Sequence, residues 1–272
     1  MKYLIPELRK YPTRDELPLN CRQRISNSAA IRGFSGASPS CWANLGPHNA
    51  LYMRSLPDYR ILTDSLSGAF SKTHGETDVA SNSSQVESVV FNDFSWDGDW
   101  LSNREKFGCR LLDLHESLGE TRSGFRQSSV RTQIDVIGDA RIYPPANLID
   151  RQMGRLYKYL SETNEPMMLK AAVSYIAIVT AHPFSDGNGR VARILFNAVI
   201  RALADVKFVY IPVKALEILS GSGLILKVRR AQSLGQWPPI VNFFCNGALL
   251  VKNEVTRIEA MEINNRAKMH YQ

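Results

Sequence analysis

His182-Pro183-Phe184-Ser185-Asp186-Gly187-Asn188-Gly189-Arg190, with Arg193 on the next turn, decides how this chain is read. Upstream of it, Leu169, Ala172, Val173, Ile176, Ala177 and Val179 make a helix apolar nearly all round, the pattern of a central, buried helix. The His182-Pro183 step ends that helix, because proline disfavours a helical residue before it. Downstream, Val191, Ile194, Leu195 and Ala198 recur at helical spacing, so a second helix starts after Gly189. The quoted stretch is therefore a loop between two helices.

That loop is dense in the parts phosphoryl chemistry needs. Gly187 and Gly189 permit backbone conformations in which consecutive N–H groups converge on an anion. The following helix offers its unsatisfied N-terminal N–H groups and positive dipole end to the same place. Arg190 and Arg193 add two guanidiniums that can fork onto phosphate oxygens. Asp186 is a hard oxygen ligand beside the nest, suited to Mg²⁺ shared with phosphates. His182, at the other lip, has a pKa range suited to taking a proton from a hydroxyl. Taken singly, each element is ordinary: a loop histidine, a Gly-Asn-Gly turn, a pair of solvated arginines. Their concentration in about a dozen residues is not.

Outward from the loop, Leu111, Leu112, Leu114 and Leu118 lie in a predicted helix ending near Gly119. From Arg126 to Ile142, Val130, Thr132, Ile134, Val136 and Ile137 are interleaved with polar residues. This reads as short strands, with Gly138-Asp139 placed to turn a hairpin. After Pro144-Pro145, the residues Ile149, Met153, Leu156 and Leu160 recur at helical spacing. Later helices are expected over Leu224 to Gln232 and from Pro239 to about Asn265. Residues 20 to 90 are rich in Ser, Asn and Gly, with weak periodicity; helical turns fit Asn49 to Ser55 and Asp58 to Phe70. The expected division is an extension over 1–95 and a core over 96–272.

At 272 residues, 44% hydrophobic and 22% charged, the chain can build a sizeable core. No apolar run is long enough to cross a bilayer, and the N-terminus turns charged at Glu7, unlike a signal peptide. The four cysteines, Cys21, Cys41, Cys109 and Cys245, form no CxxC pair, which fits free thiols in a reducing compartment. A cytoplasmic protein is expected; the polar, Ser/Asn-rich N-terminal region leaves open restraint of the core, target selection or an export signal for delivery into another cell. The net charge of +7 is spread, without an aromatic-interleaved basic stripe, which argues against nucleic acid and equally fits a phosphate-bearing substrate or an acidic protein partner.

His182 to Arg193 matches the Fic signature HPFxDGNGRxxR at every specified position, and the chain resembles the Fic (Fic/Doc) family. The resemblance runs from roughly Trp100 to the C-terminus. It takes in Leu114-His115 with Leu118, Gly124-Phe125-Arg126, the hairpin to Pro144-Pro145, and Gly235-Gln236-Trp237 through Phe243-Phe244. It implies a mainly α fold: a Fic-type helical bundle with a β-hairpin flap, preceded here by an N-terminal extension. It also implies an enzyme, a protein adenylyltransferase moving AMP from ATP with Mg²⁺ onto a Ser, Thr or Tyr hydroxyl of a target protein. In that scheme His182 is the general base, Phe184 anchors the loop in the core, and Asp186 binds the metal. Gly187, Asn188 and Gly189 form the anion hole, and Arg190 and Arg193 hold the outer phosphates. The flap, about Ser128 to Ile137 and including Ser129, Val130, Arg131, Thr132 and Gln133, holds the target segment by strand addition.

Doc-like kinases carry lysine where this chain has Gly189, so nucleotidyl transfer is implied over phosphorylation. The resemblance leaves the donor open. A tyrosine pair near the adenine in many Fic proteins is replaced here by Leu224-Ile225, so UTP, GTP or a phosphocholine-type donor stays in view. So does nucleotide binding without turnover. Finally, Ser83-Ser84-Gln85-Val86-Glu87-Ser88 resembles the family's inhibitory pattern [S/T]xxxE[G/N], with Ser88 departing from it. This implies a Glu87–Arg193 pair that restrains the enzyme. A separate inhibitor protein and a homo-oligomer are the other partners in view.

Overall fold

The computed structural model describes residues 2–8, 10–28, 87, 90–91, 94, 98–119, 124–131, 140–204, 210–220 and 223–269. The architecture is mainly helical. In chain order its elements are β1 (Lys2–Leu4), α1 (Leu19–Ser28), α2 (Arg104–Ser117), β2 (Ala140–Ile142), α3 (Ile149–Glu162) and α4 (Met167–Ala181). There follow α5 (Asn188–Ala204), α6 (Val213–Leu219), α7 (Gly223–Leu234) and α8 (Pro238–Met269).

The sequence's most apolar helix, α4, is the hub. Every residue from Met167 to Ala181 is buried except Val179, which is half-buried. It packs most extensively along α5 and is also touched by α1, α3, α7 and α8. α3 is amphipathic, burying Ile149, Met153, Leu156 and Leu160 on the face the spacing predicted. The α4–α5 antiparallel pair brings the His182-to-Gly187 loop to one end of the core, where it meets the C-terminal end of α2.

Two helices have no counterpart in the sequence reading. α1 buries only Cys21, Ile25 and Ser28, too short an apolar face to stand out, yet it packs along α8. There Ser28 Oγ donates to Cys245 Sγ at 3.5 Å and Arg24 Nη1 donates to Asn246 Oδ1 at 3.0 Å. α6 is a seven-residue helix, shorter than the window in which periodicity registers. The helical turns expected at Asn49 to Ser55 and Asp58 to Phe70 lie outside the described residues.

The flap differs from a simple hairpin. Its base is antiparallel as expected: Arg131 bridges Ile142, and the Tyr143 N–H donates to the Val130 carbonyl at 3.0 Å. The Gly138-Asp139 turn lies outside the described residues. The other edge of β2 pairs in parallel with β1, with Tyr3 opposite Arg141 and the Ile5 N–H donating to the Ile142 carbonyl at 2.8 Å. A three-residue strand near the N-terminus thus caps an edge that would otherwise present unpaired backbone groups. Residues further along fix this segment to α3: Arg151 donates to Glu7 at 2.6 Å, and the Tyr159 hydroxyl donates to the Pro12 carbonyl at 2.8 Å.

Candidate functional site

α4 ends on an unusual residue. His182, its C-cap, has φ 49° and ψ 59°, the only left-handed non-glycine among the described residues. Such a conformation costs about 1–3 kcal/mol and persists only where surroundings over-determine it. Here they do. The His182 N–H donates to the Ile178 carbonyl at 2.9 Å, and Arg126 Nε donates to the His182 carbonyl at 2.6 Å. The imidazole stacks on Tyr143, the residue that closes the flap, with centroids 3.7 Å apart and planes 16° apart. Its Nδ1 is buried and makes no fully formed hydrogen bond among the described residues. Burial and then the nearby Arg126 charge push the His182 pKa down to about 4, against weaker opposing effects of the Val179 carbonyl and Asp186. The ring is therefore neutral, and a base, at neutral pH.

The loop is held from below. Phe184 is fully buried, stacked on His115 at 4.0 Å with planes 5° apart, and Phe125 packs at 5.6 Å. His115 Nε2 in turn hydrogen-bonds the Asp186 carbonyl at 3.1 Å. The Asn188 side chain is committed to the loop. Its Oδ1 accepts from the Phe184 N–H and its Nδ2 donates to the Phe184 carbonyl, both at 2.9 Å. What Asn188 offers an anion is therefore its backbone N–H, at the start of α5.

That start has the form of an anion nest. Gly187 has φ 76°, which glycine adopts without strain, and its carbonyl accepts the Val191 N–H at 3.0 Å as the first turn of α5 closes. The N–H groups of Asn188, Gly189 and Arg190 precede that turn and point along the axis toward the loop. Gly189 is close-packed, since a Cβ there would stand 3.2 Å from Arg193 Nη1. Asp186 is exposed beside the nest, one carboxylate oxygen accepting the Gly187 N–H at 2.7 Å. Among the described residues no cluster of three or more His, Cys, Asp or Glu could cage a metal. One carboxylate next to an anion nest fits Mg²⁺, which takes one or two protein carboxylates and completes its shell with phosphate and water oxygens.

The two arginines are placed differently. Arg190 is half-buried, with Nη1 3.4 Å from the Leu118 carbonyl. Arg193 is 9% exposed and is met by Glu87, which is 1% exposed. Arg193 Nε donates to both Glu87 oxygens at 2.9 and 3.0 Å, and Nη2 donates to Oε1 at 2.5 Å. Burial works against the guanidinium charge, but hydrogen bonding and the field of Glu87 hold the Arg193 pKa above its ordinary value.

Tyr210, which the sequence does not single out, completes this cluster. Its hydroxyl donates to Glu87 Oε2 at 2.8 Å, and its ring packs against Phe91 at 5.4 Å. Burial and the Glu87 charge raise its pKa well above the ordinary value, so it stays a donor. Phe91, four residues after Glu87, thus meets the same tyrosine. Asn197 fixes Tyr210's neighbour by accepting the Ile211 N–H at 2.6 Å and donating to its carbonyl at 3.0 Å.

Of the expected flap residues, Ser129, Val130 and Arg131 lie at its base beside the His182–Tyr143 stack; Thr132 and Gln133 lie outside the described residues. Of the pair expected near the base of a nucleotide, Leu224 is 1% exposed and Ile225 41%. Among the described residues no helix is long and apolar enough to cross a membrane.

Residues 110–200 match the model of the Fic/DOC family. Over 93 residues the chain is 26% identical to the protein adenylyltransferase fic-1 of Caenorhabditis briggsae, a match covering 33% of this chain and 18% of that relative. The chain thus spans less than a fifth of that relative's length. In fold it is similar to a Fic family protein from Desulfovibrio desulfuricans, at 19% identity and TM-score 0.56, over 94% of this chain and 77% of that one. It is also similar to a Fic-1 fragment from C. elegans, at 14% identity and TM-score 0.54, over 89% of this chain and 74% of that one. At these identities the structural likeness is one of fold.

Proposed function

We propose that this chain, whose residues 110–200 match the model of the Fic/DOC family, is a protein nucleotidyltransferase restrained by Glu87. The observation that carries this reading is one loop that holds a neutral histidine, an exposed carboxylate and a helix N-terminus side by side. In the reaction, His182 takes the proton of a target Ser, Thr or Tyr hydroxyl. Because Nδ1 is buried, Nε2 is the nitrogen that receives it. The hydroxyl oxygen forms a bond to the α-phosphorus of ATP as the bond to the bridging oxygen of the β-phosphate breaks, and pyrophosphate leaves. Mg²⁺ carried with the nucleotide would sit on Asp186 and offset the charge of the phosphates. The α5 N–H groups and Arg190 orient the phosphate chain, so positioning and preorganised charge do most of the catalytic work. The flap base at Ser129 to Arg131 presents the target beside His182.

Glu87 supports the regulatory half of the reading. Its carboxylate occupies the Arg193 fork that a terminal phosphate needs, and its charge repels an incoming triphosphate. Adenine is the first choice of base. Leu224 and Ile225 offer no side-chain hydrogen bond to distinguish it, so the donor is tested directly.

The experiment incubates wild type, Glu87→Gly and His182→Ala with labelled ATP, GTP, UTP or CTP and Mg²⁺, alone and with cell lysate. The expected result is label on protein, stronger with Glu87→Gly than wild type and absent with His182→Ala. No label from Glu87→Gly with any donor would overturn the transferase reading. Equal labelling by Glu87→Gly and wild type would remove the restraint.

A further inference from the structure

Arg126 is 4% exposed, and each hydrogen bond it makes among the described residues is to a backbone carbonyl. Three of the acceptors are consecutive. Nη2 donates to Ala181 at 3.2 Å, Nε to His182 at 2.6 Å, and the Arg126 N–H to Pro183 at 2.8 Å. The remaining two lie at the two feet of the flap: Nη1 donates to Ser128 at 2.7 Å and Nη2 to Pro144 at 2.6 Å. One planar fork therefore grips both the end of α4 and the base of the hairpin. Carbonyls at a helix C-terminus carry partial negative charge, which favours a cation there without a carboxylate.

We propose that Arg126 is a positioning residue for transfer, holding His182 and both feet of the flap in one rigid frame, so that a hydroxyl docked on the flap meets the imidazole. The inference rests on the transferase reading above. A lysine at this position has a single point of donation on a flexible stem and cannot bridge both sides of the frame. The bonds to Ser128 and Pro144 serve no need of α4, and those to Ala181 and His182 serve no need of the hairpin. Their union on one side chain is what couples docking to the base. A displacement of about 1 Å between the two is worth about 100-fold in rate.

The test uses the full chain carrying Glu87→Gly as parent, with Arg126→Lys added. The expected kcat for label transfer falls about 100-fold, while calorimetric affinity for Mg-ATP changes less than about twofold, a split that a general loss of stability would not produce. Amide hydrogen exchange gives a readout independent of activity. In the parent, the His182 and Tyr143 amides open as one unit with similar protection, and both exchange about tenfold faster with lysine. Transfer by the lysine variant within about threefold of the parent overturns the inference and leaves the transferase reading standing. If the parent transfers no label, the transferase reading fails, and exchange alone decides: joint loss of protection supports the frame and unchanged protection overturns it. Should the lysine variant not fold, exchange in the parent still decides, because separate opening of the two amides overturns the frame.

Discussion

Removing the Glu87 carboxylate should weaken the fold and open the site at once. Glu87 accepts three hydrogen-bond contacts from Arg193 and one from Tyr210, in surroundings where it is 1% and Arg193 9% exposed. Deleting one member of a buried ion pair leaves the other charged and unpaired, at a cost of about 3–5 kcal/mol. Glu87→Ala does this while keeping good helix propensity at a helical position. At about 2–4 °C per kcal/mol for a chain of this size, the melting temperature should fall by roughly 6–20 °C. Tyr210→Phe removes one bond to a charged group, about 1.5–3 kcal/mol, and should fall between wild type and Glu87→Ala. The freed Arg193 can then pair with a triphosphate. Mg-ATP at 100 times its dissociation constant returns about 2.7 kcal/mol, or roughly 5–11 °C, to Glu87→Ala. Wild type, whose fork is occupied, should gain much less. Thermal melts of the three proteins with and without Mg-ATP measure all of this. If Glu87→Ala melts within 2 °C (~1 kcal/mol) of wild type and ATP shifts both equally, the pair neither stabilises the chain nor competes with nucleotide, and the reasoning fails.

Two further predictions concern the loop. The folded pKa of His182 is lowered to about 4 from an ordinary 6.5, so the unfolded chain takes up this proton first as pH falls. Its contribution to stability is complete above pH 6.5 and is lost as pH falls toward 4, a change of about 3 kcal/mol. Transfer by Glu87→Gly should likewise stay level from pH 8 to below 6; an acid limb centred near 6.5 in the pH–rate profile would show that the ring is not held neutral. Asn188→Ala leaves the buried Phe184 N–H and carbonyl unpaired, which should cost roughly 2–5 kcal/mol in urea unfolding. A loss under 1 kcal/mol would mean the loop holds its shape without that side chain.

The sequence made the central parts legible because they are local. The α4 pattern, the proline after His182 and the glycines before Arg190 act within a few residues, so helix, loop and helix could be placed from spacing alone. Glu87 is an intermediate case. Its short pattern names a candidate, but only folding brings it 106 residues along the chain to Arg193. Tyr210 had no signal at all, because nothing near it in sequence marks a tyrosine that donates to a distant carboxylate. Arg126 stood in a quoted tripeptide without a role, since its five carbonyl partners are backbone groups that every residue carries. The role of the Asn188 side chain carried no signal either, because the unmet backbone groups of Phe184 that claim it appear only once the loop is folded. β1 escaped because a three-residue strand has no periodicity to read.

The packing of α1 on α8 has a consequence for synthesis. The bonds joining Ser28 to Cys245 and Arg24 to Asn246 span 217 and 222 residues. At about 5–20 residues per second, a ribosome takes roughly 10–40 s to deliver the second partner after the first. During that interval the Cys21–Ile25 face of α1 has no α8 to cover it, and it is open to chaperones. The α4–α5 hairpin, with its loop, is complete well before then. Its buried hub still waits for α8, so the nascent chain acquires its His182-to-Gly187 loop before it acquires the body that holds the loop rigid.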